Sequence, residues 1–433
     1  MIEQLVFLIL SLSALSLFTF NVKKIARNIK LGLPLNRTDS PGARWKIMFK
    51  VAFGQTKMVA KPIPALLHFF VYAGFIIINI EVLEIITDGL FGTHRLFSKF
   101  LGGFYTLLIN CFEWLAISVI FACLIFLIRR NIIKIKRFFG VEMVGWPRSD
   151  ANYILYFEIV LMSAFLMMNA ADIKLQQISQ ASDIFGSFHV SSVLADWLPN
   201  NAHTLNFLER SFWWIHITGI FIFLNYLPYS KHFHIIMAFP NTWYSKLEPI
   251  ASLPNMASVT NEVKAMIDPG FTPEASIPGS SFGAKDVTDL TWKSLMDAYT
   301  CTECGRCTSE CPANITGKLL SPRKIMMDTR DRLSEVGKNI DKHGKEYQDG
   351  KSLLYDYIST EEIWACTTCQ ACIQACPVNI DPLAIILELR RYSIMEESKA
   401  PASINNMLSN IENNDAPWKY PASDRFNWAE AKS

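Results

Sequence analysis

Charge is scarce in this 433-residue chain: Asp, Glu, Lys and Arg together make up 18%, below the roughly 25% of soluble proteins. Hydrophobic residues reach 51% and the mean hydropathy is +0.21, which excludes disorder and argues against a wholly soluble enzyme. Neither sign of charge dominates, with 41 Lys and Arg against 39 Asp and Glu and a net charge of +2. No whole-chain field therefore draws in nucleic acid or an acidic substrate. Also missing are a glycine-rich nucleotide loop, a flavin motif and a nucleophile–base pair, so nothing stands ready to activate an organic substrate. Cysteine, with ten copies, is not scarce. Eight fall in two short clusters near the C-terminus, while Cys111 and Cys123 lie in apolar runs. Clusters behind a membrane segment point to metal chemistry in a reducing compartment, not to a secreted disulfide set.

Five apolar runs, at 5–20, 63–86, 104–128, 153–170 and 212–239, are weighed as membrane spans, each needing about 20 mostly apolar residues. The first could be the core of a signal peptide, but no positive region precedes it and Lys23, Lys24 and Arg27 follow. Those flanks are the ones of an anchor that enters with its N-terminus outside. Sixteen Lys and Arg occupy the loops after spans one and three, against four (Arg95, Lys99, Lys174 and Arg210) in the opposite loops. Positive loops stay cytoplasmic, so everything after span five, cysteines included, is expected on the cytoplasmic face of the inner membrane.

Four of the eight histidines belong to spans: His68 in the second and His216, His232 and His234 in the fifth. An ionisable group in a span is a functional hypothesis, weighed against a plain polar contact between helices. His216 and His234 lie 18 residues apart, five turns of one helix face and about 27 Å along its axis. His232 sits about 200° round from His234 and is expected to face elsewhere. His68 and His234 both fall near the cytoplasmic end of their spans, at one depth, as two ligands of a haem iron must. His216 lies near the outer end, where span two offers Ile78 and Asn79.

The stretches L-L-H-F-F-V-Y-A-G-F and W-I-H-I-T-G…L-P-Y-S-K-H-F-H-I resemble the di-haem cytochrome b subunit of respiratory nitrate reductases, over about residues 1–240. The resemblance implies five spans, an outside N-terminus and bis-histidine haems between spans two and five. His68, His216 and His234 match three of its four ligand positions; the fourth is Ile78, which cannot bind iron. It therefore implies one b-type haem on His68 and His234, with His216 open between a second haem and a quinone contact. At that level Met167 or Met168 could also reach an iron, and methionine does bind haem opposite histidine. Carboxylates within spans, Glu81, Glu84, Glu113 and Glu158, read either as partners of Asn and backbone across the bundle or as proton carriers for a quinone. Glu81 and Glu113 are the candidates for the second role.

Residues 241–290 form a connector rich in Pro, Gly and Ser (Pro249, Pro254, Pro269, Gly270, Pro273, Pro278 and Gly279) with little helical periodicity. An internal repeat follows: C-T-E-C-G-R-C-T-S-E-C-P at 301–312 and C-T-T-C-Q-A-C-I-Q-A-C-P at 366–377, every cysteine offset by 65. Three thiolates at this spacing wrap three corners of a cubane, and the fourth of each run caps the other cluster in two-cluster ferredoxins. One [4Fe–4S] cluster is then expected on Cys301, Cys304, Cys307 and Cys376, the other on Cys366, Cys369, Cys372 and Cys311. Structural zinc sites also use C-x2-C pairs, but zinc has no use for a regular third and fourth cysteine before proline. Between the runs, 321–339 reads as a helix with Ser321 as N-cap before Pro322, and 352–357 as a shorter helical segment. Helices between motifs at this offset resemble the all-helical ferredoxin domain of heterodisulfide reductase C-type subunits, glycerol-3-phosphate dehydrogenase iron–sulfur subunits and succinate dehydrogenase iron–sulfur proteins, over about residues 290–395.

The tail, Asn414-Asp415-Ala416-Pro417-Trp418 with Arg425 and Trp428, is similar to the N-P-W…R-x-x-W segment that joins such domains to a cysteine-rich (CCG) domain in fused relatives. The alternative is an exposed tail with two aromatic anchors. The fold expected is all-α: a five-helix transmembrane bundle at 1–240, the connector, a helical dicluster ferredoxin at 291–395, and a partner-docking tail at 396–433. The function expected is a membrane-bound electron-transfer subunit linking the quinone pool (menaquinone or ubiquinone), haem b and two [4Fe–4S] clusters to a cytoplasmic CCG subunit. The alternative is a membrane-anchored iron–sulfur sensor or scaffold without quinone chemistry.

Overall fold

A computed structural model describes residues 1–179, 187–272 and 281–430; Pro273, Pro278 and Gly279 of the connector and the last three tail residues lie outside them. Among the described residues there are helices and turns but no strand, only two isolated bridges. Five long apolar helices come first: α1 (Ile2–Ile29), then, after a short amphipathic helix α2 (Pro41–Met48), α3 (Pro62–Phe91), α4 (Gly103–Asn131), α5 (Trp146–Ser179) and α6 (Ala202–Tyr226). All five have the length and hydropathy of a membrane span. Helix α5 is the hub, packed against α4 and α6, while α3 rests on α4 and α1 flanks α3 and α6 with most of its surface bare. Bare Leu and Ile suit a helix that faces lipid, where apolar exposure carries no penalty.

At the bundle end farther from the cysteines a polar network closes the helices. Arg95 donates from Nε to Asp172 at 2.5 Å, from Nη2 to Asn169 at 2.8 Å and from Nη1 to the Tyr105 hydroxyl at 3.2 Å. Tyr105 in turn donates to Glu84 at 2.8 Å, and the other Glu84 oxygen accepts the Phe97 N–H. A buried guanidinium persists in apolar surroundings only when paired in this way.

Span five departs from expectation. It does not run unbroken to residue 239: helix α6 stops at Tyr226, two short 3₁₀ turns follow at Leu227–Tyr229 and Lys231–Phe233, and α7 (His234–Trp243) restarts the chain. Pro228 is the cause, since it lacks the N–H that the ladder needs, and the Ser230 hydroxyl accepts the His232 N–H to cap the second turn. His216 and His234 therefore do not share one helix face.

The connector also differs. It holds a helix, α8 (Ala257–Ile267), set between Pro254 and Pro269, and its last residues (Ala284, Val287 and Leu290) are buried in the core of the cysteine half. That half contains α9 (Trp292–Thr300), α10 (Pro322–His343), α11 (Pro382–Met395) and α12 (Ala402–Asn414). Helix α10 starts as expected, with the Ser321 side chain accepting the Lys324 N–H before Pro322. It ends one turn later than expected, at Gly344. The segment 352–357 is no helix: Leu354 is extended and Tyr355 has φ of 84°.

The two halves are joined by long-range contacts. Leu33 pairs backbone to backbone with Leu290 and Trp292. Gly32 must be glycine there, because a Cβ would stand 2.6 Å from the Trp292 nitrogen. Arg323, only 1% exposed, donates to Glu142 at 2.8 Å and to the Arg137 carbonyl at 2.6 Å. Lys231 reaches Glu303 at 2.5 Å, and Arg330 donates to the other Glu303 oxygen at 2.7 Å. Burial opposes the Glu303 charge, but Lys231 and Arg330 together hold its carboxyl below the usual range.

Candidate metal centres

Each cysteine run opens with two left-handed residues at matching places. Glu303 (φ 53°) and Gly305 (φ 70°) flank Cys304, and Thr368 (φ 56°) and Gln370 (φ 61°) flank Cys369. The 65-residue repeat is thus a repeat of backbone conformation, and three of its four special positions carry residues other than glycine. Left-handed backbone at a non-glycine residue costs of order 1 kcal/mol, and it curls each loop around a common point. Gly305 has a second reason: a Cβ there would meet Arg323 Nη1 at 2.6 Å.

The first run lines a cavity whose walls include Cys301, Cys304, Cys307 and Cys376. Cys376 comes from the second run, and Cys372 borders the same space. The other thiols gather around Cys366, which lies within electrostatic reach of Cys311, Cys369 and Cys372, and Cys372 is also within reach of Cys311. Burial pushes the Cys301 thiol up to about 12 and the Cys376 thiol up to about 11. Thiolates here require a strong local cation, which metal coordination supplies. Two backbone N–H groups already point at sulfur, Thr368 to Cys366 Sγ at 3.4 Å and Ile380 to Cys376 Sγ at 3.3 Å; N–H···S bonds of this kind tune cluster potentials. The donor set, four cysteines at each site, suits an iron–sulfur cubane.

The two sites differ in exposure. At the first, Cys301 and Cys376 are buried and Cys304 and Cys307 intermediate; at the second, Cys311 is buried but Cys369 is exposed. The first cavity faces the membrane half and the second thiol group opens toward the surface.

His68 and His234 are brought together, within electrostatic reach of each other. His68 Nδ1 lies 3.0 Å from Gln55 Oε1, and His234 Nδ1 lies 3.0 Å from the Lys231 carbonyl oxygen. Each ring therefore has one nitrogen committed to an acceptor and Nε2 left over, the arrangement that orients metal-bound histidines. Two neighbouring imidazoles with free Nε2 atoms are the donor chemistry that a bis-histidine haem would need. His232 was expected to face elsewhere; instead its ring packs on His234, centroids 5.5 Å apart and nearly perpendicular, and on Phe223 at 5.3 Å. The 3₁₀ turn after Pro228 swings it back. Ring packing holds His232 in place, whereas a hydrogen bond at Nδ1 holds each of the other two.

His216 stands apart from this group, 1% exposed, with Nδ1 2.9 Å from the Leu161 carbonyl oxygen and Nε2 buried without a partner. Ile78 is buried in the bundle core with Met168, while Met167 is half-buried. Of the carboxylates, Glu113 accepts from the Val190 and Ser191 N–H groups at 2.8 and 3.3 Å and from Asn169 at 3.3 Å. Glu84 is committed to Tyr105 and Phe97. Glu81, 2% exposed, has Oε2 buried without a partner. Glu158 is half-buried on α5.

In the tail, Arg425 donates to the Asn414 and Asp415 carbonyls at 3.2 and 2.7 Å and folds the segment back on itself. Trp418 and Trp428 remain exposed, as do Tyr420 and Phe426, and α12 buries no residue.

Three functional neighbours escape a reading of the sequence. Gln55 carries no motif, and Glu303 carries only its place between Cys301 and Cys304. Arg306, inside the first cysteine run, carries a signal only in its position between Cys304 and Cys307.

These features define a membrane protein with an iron–sulfur domain. Residues 300–380 match the 4Fe-4S dicluster domain family. Two curated relatives align with 99% of this chain. One is named "Probable iron-sulfur-binding oxidoreductase FadF", from Bacillus subtilis, 28% identical with 61% of its length covered. The other is an EtfAB:quinone oxidoreductase from Syntrophomonas wolfei, 27% identical with 60% of its length covered. The chain therefore spans about three fifths of the length of these relatives. The C-type subunit of a CoB-CoM heterodisulfide reductase from Methanosarcina acetivorans is 34% identical over 24% of this chain and 52% of its own. No solved structure matches.

Proposed function

We propose that the chain is an electron-transfer unit that links a membrane quinone, through a haem b held by His68 and His234, to two crossed [4Fe–4S] clusters in the cytoplasm. When bound, these groups supply one-electron carriers. The chain's own residues hold them, orient them and keep water out. The single observation that carries this reading is a shared wall: Arg306 lines the cavity of Cys301, Cys304, Cys307 and Cys376 and lies within electrostatic reach of His68. The name of the Syntrophomonas relative supports quinone as the membrane-side partner.

His216 hydrogen-bonds the quinone through its buried Nε2, and Glu81, with its unpaired oxygen, takes up or releases the proton that quinone chemistry requires. Glu113 serves the bundle by capping the chain at Val190 and Ser191. Loop charge supports the cytoplasmic side for the ferredoxin half. The exposed aromatic tail docks a separate cysteine-rich (CCG) subunit, since aromatics dominate interface energetics.

Mixing the purified chain with a menaquinol analogue tests the reading: haem absorption should change first and the cluster signals after it. Clusters reduced with no haem change would refute the order, and no reduction of either would refute quinone coupling. Deleting residues 412–433 should leave the metal groups in place and release the CCG subunit; unchanged co-purification would refute the tail assignment.

A further inference from the structure

Arg306 is 5% exposed, on the turn between Cys304 and Cys307. Among the described residues its guanidinium makes one hydrogen bond, from Nη1 to the Lys57 carbonyl at 3.2 Å, and has no carboxylate partner. The contrast with Arg323, on the same cavity wall, is direct: that guanidinium is paired with Glu142. A buried guanidinium without a counter-charge is costly. An iron–sulfur cubane on four thiolates is a net anion and gains one more negative charge on reduction. The cavity of the first cluster is thus where the missing counter-charge would sit. Arg306 also lies within electrostatic reach of His68.

Building on the function proposed above, we infer that Arg306 is a positioning residue that tunes the first cluster and the haem together, its fixed charge favouring the reduced form of each. Arginine stays protonated throughout, so the electron arrives with no proton to move at this residue. The second thiol group has no such link to the histidines: its neighbouring cation, Arg390, donates to the Ile363 and Cys366 carbonyls and lies over Trp364.

Redox-poised EPR and optical titration of the full-length protein test this with Arg306→Gln and Arg306→Lys. The Gln variant should disfavour reduction of the first cluster by at least tenfold, about 59 mV for one electron. The haem should move in the same direction, the second cluster, which touches this cavity through Cys372 alone, should move less, and the Lys variant should remain near wild type. Loss of the first cluster in the Gln variant alone, with the Lys variant at wild-type potential, also supports the inference, because charge is then what the site needs. An unshifted first cluster, an equal shift in the second, or the same change in both variants overturns it. So does loss of the first cluster in both variants, which would leave Arg306 a packing role. If the wild-type protein shows no cluster signals, the proposed function itself fails.

Discussion

Replacing Cys376 with serine separates crossed ligation from ligation within each run. Cys376 is 8% exposed and accepts the Ile380 N–H at 3.3 Å. A serine hydroxyl is close to isosteric and can accept the same N–H. Beyond the loss of the cluster itself, the fold should then lose no more than the value of one hydrogen bond, about 1 kcal/mol. Alanine would leave that N–H buried and unpaired, at a cost of about 1–3 kcal/mol, and would confuse a folding defect with a ligation defect. Cys376 borders the cavity of Cys301, Cys304 and Cys307, so the variant should lose the first cluster and keep the second. Iron per chain should fall by roughly half. EPR of the reduced protein should retain one cluster signal, together with the exposed-site behaviour expected around Cys369. Loss of the cluster built on Cys366, Cys369 and Cys372, with the first intact, would refute the crossed assignment.

Three further outcomes follow from the junction between the halves and from the bundle. Lys231→Met removes one partner of a buried pair, and since Arg330 still holds Glu303 the loss should sit at the lower end for such changes, about 3 kcal/mol; thermal unfolding in detergent would read it, and an unchanged midpoint would contradict it. Gly32→Ala puts a Cβ 2.6 Å from the Trp292 nitrogen, and overpacking of this kind costs about 1–3 kcal/mol, so limited proteolysis should cut the junction near Leu33 faster than in the wild type. His216→Ala should keep the haem spectrum and slow reduction by quinol, checked by stopped-flow; haem loss would make His216 an iron ligand instead.

Much of the architecture was open to reading because its physics is local. Membrane spans announce themselves through length and apolarity, and the cysteine repeat through spacing. Where reading failed, the cause lay in a local rule outweighed by a pattern or in a contact across the chain. Pro228 was visible inside the fifth span, and its lack of an N–H ends the helix; the surrounding apolar run hid it, and with it the return of His232 toward His234. The connector helix Ala257–Ile267 was masked by the prolines around it. Helix α1 outruns its apolar stretch because Asn28, near its end, donates to the Tyr299 hydroxyl at 2.9 Å, a partner 271 residues away. No periodicity could have paired Arg323 with Glu142 or set Gln55 against His68. The left-handed turns at Glu303, Thr368 and Gln370 were equally hidden, since left-handed backbone is signalled by glycine and only Gly305 supplied one.

The central claim is that one haem sits between His68 and His234 beside the first cluster. Its most direct test is a pyridine haemochrome measurement on wild-type protein and on His68→Ala, made alongside iron–sulfur counting. The account predicts one haem b per chain in the wild type and none in the variant, with both clusters kept. A wild-type chain without haem, a value near two per chain, or a variant that retains its haem would contradict it.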